Sequence, residues 1–260
     1  MQSMEKVFGK HSAHVLFLTR PHAVRRLILL EGKERDLGEI MEMARRANIH
    51  PEILPMAKFL QIANFTDEEK HLKNQGICVF AEPRKIYDEG DLDELRDARI
   101  VLALDQVSNP QNLAAILRSA AFFGVDAVLL LKNRSVDLSP TVLRIAVGGV
   151  EYIRVFKVIN LARSLDALRE LGFWVYGLDE RGDHALGETD FDRRAVLVIG
   201  AEGEGLRLRT RKFCDVLVRI PGGQPGLGSL NVGVAAAVAM AEICRRIRVE
   251  HSAEAKQAVP

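Results

Sequence analysis

Three short stretches hold most of the polar groups that could act together on a ligand. They are Asp105 to Asn112 with Arg118 a little further on, Gly200 to Gly205 with Glu202 among its glycines, and Pro221 to Asn231, which ends in Ser229, Leu230 and Asn231. The last reads PGGQPGLGSLN, with four glycines and two prolines. Glycine admits positive φ and proline fixes its own bend without an N–H, so this backbone is irregular. It lies between a strand-like run, Asp215 to Ile220, and an apolar helical run, Val232 to Arg248. A loop so placed is built to surround a small polar ligand with bare amides. A plain helix start capped by Ser229 or Asn231 would use the same residues. The glycines at 200, 203 and 205 are spaced GxxGxG, which is neither the dinucleotide fingerprint nor a P-loop. Leu227, two residues before Ser229, excludes the nucleophile elbow of a hydrolase.

The elements that must position these loops are short apolar runs alternating with amphipathic ones. Ile100–Leu104, Ala127–Leu131, Arg154–Val158, Phe173–Gly177, Ala195–Gly200 and Asp215–Ile220 read as strands. Between them, Pro110–Phe123, Thr141–Val147 and Leu161–Leu171 read as helices, and Val232–Arg248 as the last one. Asn109 and Pro110 open the first of these helices and Gly124 closes it. Strands separated by helices predict an α/β fold with a mostly parallel sheet covered on both faces, whose ligands sit at the carboxyl ends of the strands. All three loops fall at such ends. Residues 1–81 form a separate small α/β unit: a strand at Arg26–Leu30, a helix at Leu37–Asn48, strand signals at Ile53–Leu54 and Ile77–Ala81, and a helix at Met56–Ala63. Residues 82–97 carry 7 acidic against 3 basic residues and read as a linker ending in a short helix. Residues 98–249 make the larger domain, and 250–260 a polar tail that frays.

Composition narrows the classes further. A net charge of +1 announces no global nucleic-acid field, and basic residues occur in local clusters such as Arg25-Arg26, Arg45-Arg46 and Arg207 to Lys212, each read first as a solvated face. The three cysteines are far apart and flanked by apolar residues, which predicts reduced core thiols and a cytoplasmic protein. His11 and His14 have no carboxylate or cysteine at ligand spacing, so no metal is expected. Neither a leader nor a membrane-spanning run is expected.

Taken together, the three loops resemble the motifs of the SpoU/TrmH family of RNA ribose 2'-O-methyltransferases, a branch of the SPOUT superfamily. The resemblance is carried by NPQNLAAILRSA from Asn109, LVIGAEGEGL from Leu197, and Ile220-Pro221 followed by SLNVGVAA from Ser229. It implies S-adenosylmethionine (SAM) as cofactor among the second and third loops, against Gly200, Gly205, Ile220 and Leu230. It implies a catalytic set of Asn112, Arg118, Glu202, Ser229 and Asn231. It further implies a homodimer, a carboxyl-terminal trefoil knot, and methylation of RNA, with a guanosine of 23S rRNA ahead of tRNA; a non-catalytic RNA-binding assembly factor is the other reading. Residues 1–81 resemble the L30e-like domain that binds substrate RNA in the branch acting on large-subunit rRNA. The chain departs from the family at Ala114, where glycine is usual, and in a third loop one residue longer. Six residues separate Asn112 from Arg118, which on a regular helix turns their side chains about 120° apart.

Overall fold

The computed structural model describes residues 4–70, 74–133, 135–222 and 229–257. The chain divides into two compact units, Met1–Lys85 with Asp137–Tyr152, and Ile86–Val136 with Ile153–Pro260.

In the first unit β1 (Glu5–Phe8), α1 (Lys10–Thr19), β2 (Val24–Leu30), α2 (Gly38–Arg46), β3 (Glu52–Leu54), α3 (Met56–Ala63), a single turn α4 (Asp67–Lys70) and β4 (Ile77–Ala81) follow in order. Their sheet has the order β1-β4-β2-β3, with β4 antiparallel to both neighbours and β3 parallel to β2. Alternation in β2 turns Leu27 and Leu29 into one core with Leu16 and Phe17 of α1 and Ile40 and Ala44 of α2, and a register shift between Val24 and Arg26 brings Val24 to the same face. Ile28 goes to the other face, against Phe59 and Ala63 of α3. A strand's two-residue period builds both layers from one run of apolar residues.

The second unit holds β5 (Ile100–Leu104), α5 (Pro110–Phe123) and β6 (Ala127–Leu131). The chain then contributes α6 (Pro140–Ile145) and a 3-10 turn at Gly149–Tyr152 to the first unit. It returns with β7 (Arg154–Val158), α7 (Leu161–Glu170), β8 (Trp174–Leu178), β9 (His184–Ala185), β10 (Ala195–Ile199), α8 (Leu208–Arg211), β11 (Val216–Arg219) and α9 (Val232–Gln257). The sheet order is β7-β6-β5-β10-β8-β11-β9, and every pairing in it is parallel. Every residue of β5, β6 and β10 is buried, the mark of a parallel sheet covered on both faces.

Several local expectations hold. Asn109 caps α5, its Oδ1 accepting from the N–H groups of Gln111 (2.8 Å) and Asn112 (3.3 Å), and Gly124 ends the helix at φ 68°. Others change. From Ile86 on, the acidic stretch belongs to the second unit: Asp88 and Asp91 form a capping box, Leu92 and Leu95 enter the core, and Tyr87 stacks on Phe156. The short helix expected in this stretch is the 3-10 helix Glu89–Leu95, its first turn held by these acidic caps. The backbone of α9 stays helical to Gln257, across the stretch expected to fray. Among the described residues no helix is long and apolar enough to cross a membrane.

Candidate active site

Parallel pairing puts the carboxyl ends of β5, β10, β8 and β11 on one edge of the sheet, with β5 and β10 as neighbours and Leu104 opposite Ile199. The loop after β5 therefore lies beside the loop after β10, and each supplies part of a side-chain cluster. Asn112, buried in the first turn of α5, donates from Nδ2 to Glu202 Oε2 at 2.8 Å. Asn231, just before α9, donates from Nδ2 to Asn112 Oδ1 at 3.1 Å and to Glu202 Oε1 at 3.4 Å. Its own Oδ1 accepts from the N–H groups of Gly233 (2.9 Å) and Val234 (3.4 Å), capping α9. The amide orientations follow from these partners. Asn231 must present oxygen to the helix and nitrogen to the cluster, so Asn112 turns its oxygen to Asn231 and its nitrogen to Glu202. The Glu202 carboxylate thus collects N–H groups from two asparagines while remaining exposed to solvent.

The loop carrying Glu202 is held by its own backbone. Ala201 and Gly205 exchange N–H to O bonds of 3.1 and 3.0 Å, closing a tight turn in which Gly203 and Gly205 have φ of +79° and +67°. A Cβ on Gly200 would stand 2.1 Å from the carbonyl carbon of Gly205 and 2.4 Å from the nitrogen of Leu206. The glycine at 200 is required by the turn folding back on it. Beyond the turn, the guanidinium of Arg207 forms an ion pair with Asp105, which is 0% exposed at the end of β5. Arg211 pairs with Asp179 at the end of β8 at 3.4 Å. Two arginines of a cluster read as a solvated face are therefore ties to buried carboxylates. A strand-terminal Asp was the only sequence signal for either. The Arg25-Arg26 and Arg45-Arg46 clusters do face solvent, pairing with Glu82, Glu52 and Glu42.

The remaining expected residues are placed differently. Arg118 lies exposed on α5, outside the hydrogen-bonded cluster. Ser229 and Leu230 are exposed, and Ser229 makes no hydrogen bond to Asn112, Glu202 or Asn231. Ile220 is half-buried just past β11, and residues 223–228 of the third loop lie outside those described. Among the described residues nothing lies within 4 Å of a Cβ built on Gly203 or Gly222, and at Gly205 only Asp179 Oδ2, at 3.9 Å. Cys214 is free, and burial pushes its thiol up to about 12, as it does that of Cys78, so neither thiol is primed for nucleophilic work. Among the described residues no group of His, Cys, Asp and Glu could hold a metal ion.

Residues 99–241 match the model of the SpoU rRNA Methylase family. The chain is 36% identical over 251 residues to the 23S rRNA (guanosine-2'-O-)-methyltransferase RlmB of Pseudomonas aeruginosa, an alignment covering 95% of this chain and 98% of that protein. It is 34% identical to the protein of the same name from Escherichia coli, covering 93% and 98%. Among solved structures, the SpoU methyltransferase AviRb from Streptomyces viridochromogenes in complex with AdoMet superposes with a TM-score of 0.74 at 22% identity, covering 95% of this chain and 91% of that one. By the extent of the family match and by its likeness to full-length relatives, this chain belongs to the SpoU rRNA methylase family.

Proposed function

We propose that this protein transfers the methyl group of SAM to a ribose 2'-hydroxyl in RNA, at a guanosine of 23S rRNA, working in the cytoplasm as a homodimer. The observation that carries the reading is the Asn112–Glu202–Asn231 cluster, drawn from three separate strand-end segments of one parallel sheet. The names of its full-length relatives support the rRNA target and the guanosine. The AdoMet complex of a SpoU methyltransferase of similar fold supports SAM as the cofactor, and the strand-end position of Gly203, Gly205, Ile220 and Leu230 supports placing it among these loops. SAM supplies an electrophilic methyl group to be displaced in line.

What the chain's own groups do follows from their charge. Both oxygens of Glu202 are oriented by asparagine N–H groups, which fix the carboxylate and leave it lone pairs to accept the hydroxyl proton. Arg118 holds its proton and acts by charge: it grips the RNA phosphate and stabilises the alkoxide as it forms. Ser229 completes the polar surface toward the nucleotide.

Dimerisation is supported by an exposed apolar face where α5 and α9 pack side by side. Phe122 is 82% exposed, with Val234, Val238 and Ala115 also on the surface and Gly233 admitting the close approach of the helices. Arg118 stands on this face, so Arg118 of the partner subunit would complete a site that one subunit leaves without it. A trefoil knot at the carboxyl end is part of this proposal on the strength of the family resemblance alone. The first unit serves as the RNA-binding domain.

The experiment is methylation of 23S rRNA from cells lacking the gene, with tritiated SAM and mapping of the modified ribose. A single 2'-O-methylguanosine is expected in wild type, and Arg118→Lys loses most turnover while keeping SAM affinity. Methylation of tRNA alone, or RNA binding without methyl transfer, refutes the assignment.

A further inference from the structure

The first unit lines a small, partly open cavity between the start of α1 and the Asp137–Tyr152 segment. Two groups facing it lack partners, and both are donors. Ser12, on the first turns of α1, is 5% exposed, and its Oγ is buried without a hydrogen bond. Arg84 gives Nε and Nη2 to Glu5 and Nη2 also to Glu151, while its Nη1 is buried with no acceptor. Helix α1 begins at Gly9, which offers no side-chain cap, and has no acidic residue in its first turn; of that turn's N–H groups, Lys10 donates to Gln75 Oε1 at 2.9 Å. The Arg144 guanidinium lies over that start, since a Cβ on Gly9 would stand 2.8 Å from its Nε. The carboxylate on the cavity wall, Glu151, is already occupied by Arg20 and Arg84. A helix N-terminus, an idle hydroxyl and an idle guanidinium nitrogen ask for a ligand that accepts hydrogen bonds and carries negative charge.

We propose that this cavity is a binding site for a free inorganic oxyanion of the phosphate class, held by Ser12 Oγ, Arg84 Nη1 and the first turn of α1. The site lies outside the methyl-transfer cluster and does not depend on the function assigned above. Ser12 and the Glu151 side chain are only 5% and 3% exposed, which favours a small free anion over a phosphodiester flanked by nucleosides. The bound anion ties α1 to the Asp137–Tyr152 segment and stabilises the first unit.

The test is thermal melting of the full chain with sodium phosphate at constant ionic strength. One-site binding raises the melting temperature by about 5 °C once phosphate exceeds its Kd a hundredfold. Ser12→Asp places a carboxylate in the cavity: it should melt at least as high as wild type without phosphate and gain nothing from it. Ser12→Ala should fold normally and need about tenfold more phosphate for the same shift. Subtracting the Ser12→Asp response removes the general stabilisation that phosphate gives any protein. An equal response in all three proteins, a Ser12→Asp variant less stable than wild type, or no wild-type response overturns the proposal and leaves the cavity to water. So does a shift produced by a short oligoribonucleotide and not by inorganic phosphate.

Discussion

Replacing Asn231 with Asp separates two jobs that the asparagine does at once. Its Oδ1 caps α9, and an aspartate oxygen caps equally well and suits the helix dipole better. Its Nδ2, however, donates to Asn112 Oδ1 at 3.1 Å and to Glu202 Oε1 at 3.4 Å, and in the variant an oxygen stands there instead. Asn112 cannot repair both contacts. Flipping its amide satisfies position 231 but turns Oδ1 against Glu202 Oε2, now 2.8 Å from Nδ2. Two carboxylates about 4 Å apart repel by about 1 kcal/mol in water and about 4 kcal/mol near a protein surface, and this exposed pair belongs toward the lower figure. One of them is pushed above the ordinary carboxylate range in the folded state. Because the charged form is then disfavoured by folding, Asn231→Asp should match wild-type stability near pH 4 and lose stability as pH rises through the raised pKa. Methyl transfer at neutral pH should fall about tenfold or more. Urea unfolding at acid and neutral pH and tritiated-methyl incorporation measure both effects. Adding Glu202→Gln supplies a donor to the new carboxylate and should restore about 1 kcal/mol beyond additivity. Wild-type behaviour of Asn231→Asp at neutral pH, or strict additivity in the double variant, refutes this account of the cluster.

Gly200→Ala drives a Cβ into the Gly205 backbone and should cost about 3 kcal/mol and abolish SAM binding, whereas Gly203→Ala meets only an unfavourable φ and should cost about 1 kcal/mol; calorimetric titration and melting distinguish them. Arg207→Ala strands the fully buried Asp105 carboxylate and should destabilise by about 3–5 kcal/mol, while Asp105→Asn leaves a 40%-exposed arginine free to reach water and should cost less than half as much; equal losses in denaturant unfolding would show that the tie is not electrostatic. Hydrogen bonds from Arg245 and Arg246 lower the Glu242 carboxyl to about 2, so its contribution is present above the ordinary carboxylate pKa and disappears as pH falls from about 4.5 toward 2. Glu242→Gln should flatten the melting profile in that window.

The convergence of Asn112, Glu202 and Asn231 was readable because each closes a loop at a strand end, and in a parallel sheet those ends share an edge. The separation of Arg118 was readable too, from helix geometry, since six residues of α5 turn it away from Asn112. The role of Gly200 was not. Its constraint comes from Gly205 and Leu206 folding back over it, and a glycine looks the same whether a ligand or a backbone stands beside it. In the acidic stretch the short helix was readable and forms at Glu89–Leu95, while the entry of Leu92 and Leu95 into the core was not, because charge density reports solvent contact only when the side chains are not capping a backbone.

From the chain alone came the alternation that makes a covered parallel sheet, the caps that start and stop α5, and the family to which the motifs belong. Those features depend on residues near one another in sequence, where spacing and backbone preference act directly. Folding decided which polar residues meet. It set the Asn112–Glu202–Asn231 bonds, the ties of Arg207 to Asp105 and Arg211 to Asp179, and the passage of Asp137–Tyr152 into the first unit. Each joins groups brought together by strand order and crossover, and a buried charge leaves no local mark of which distant partner will neutralise it.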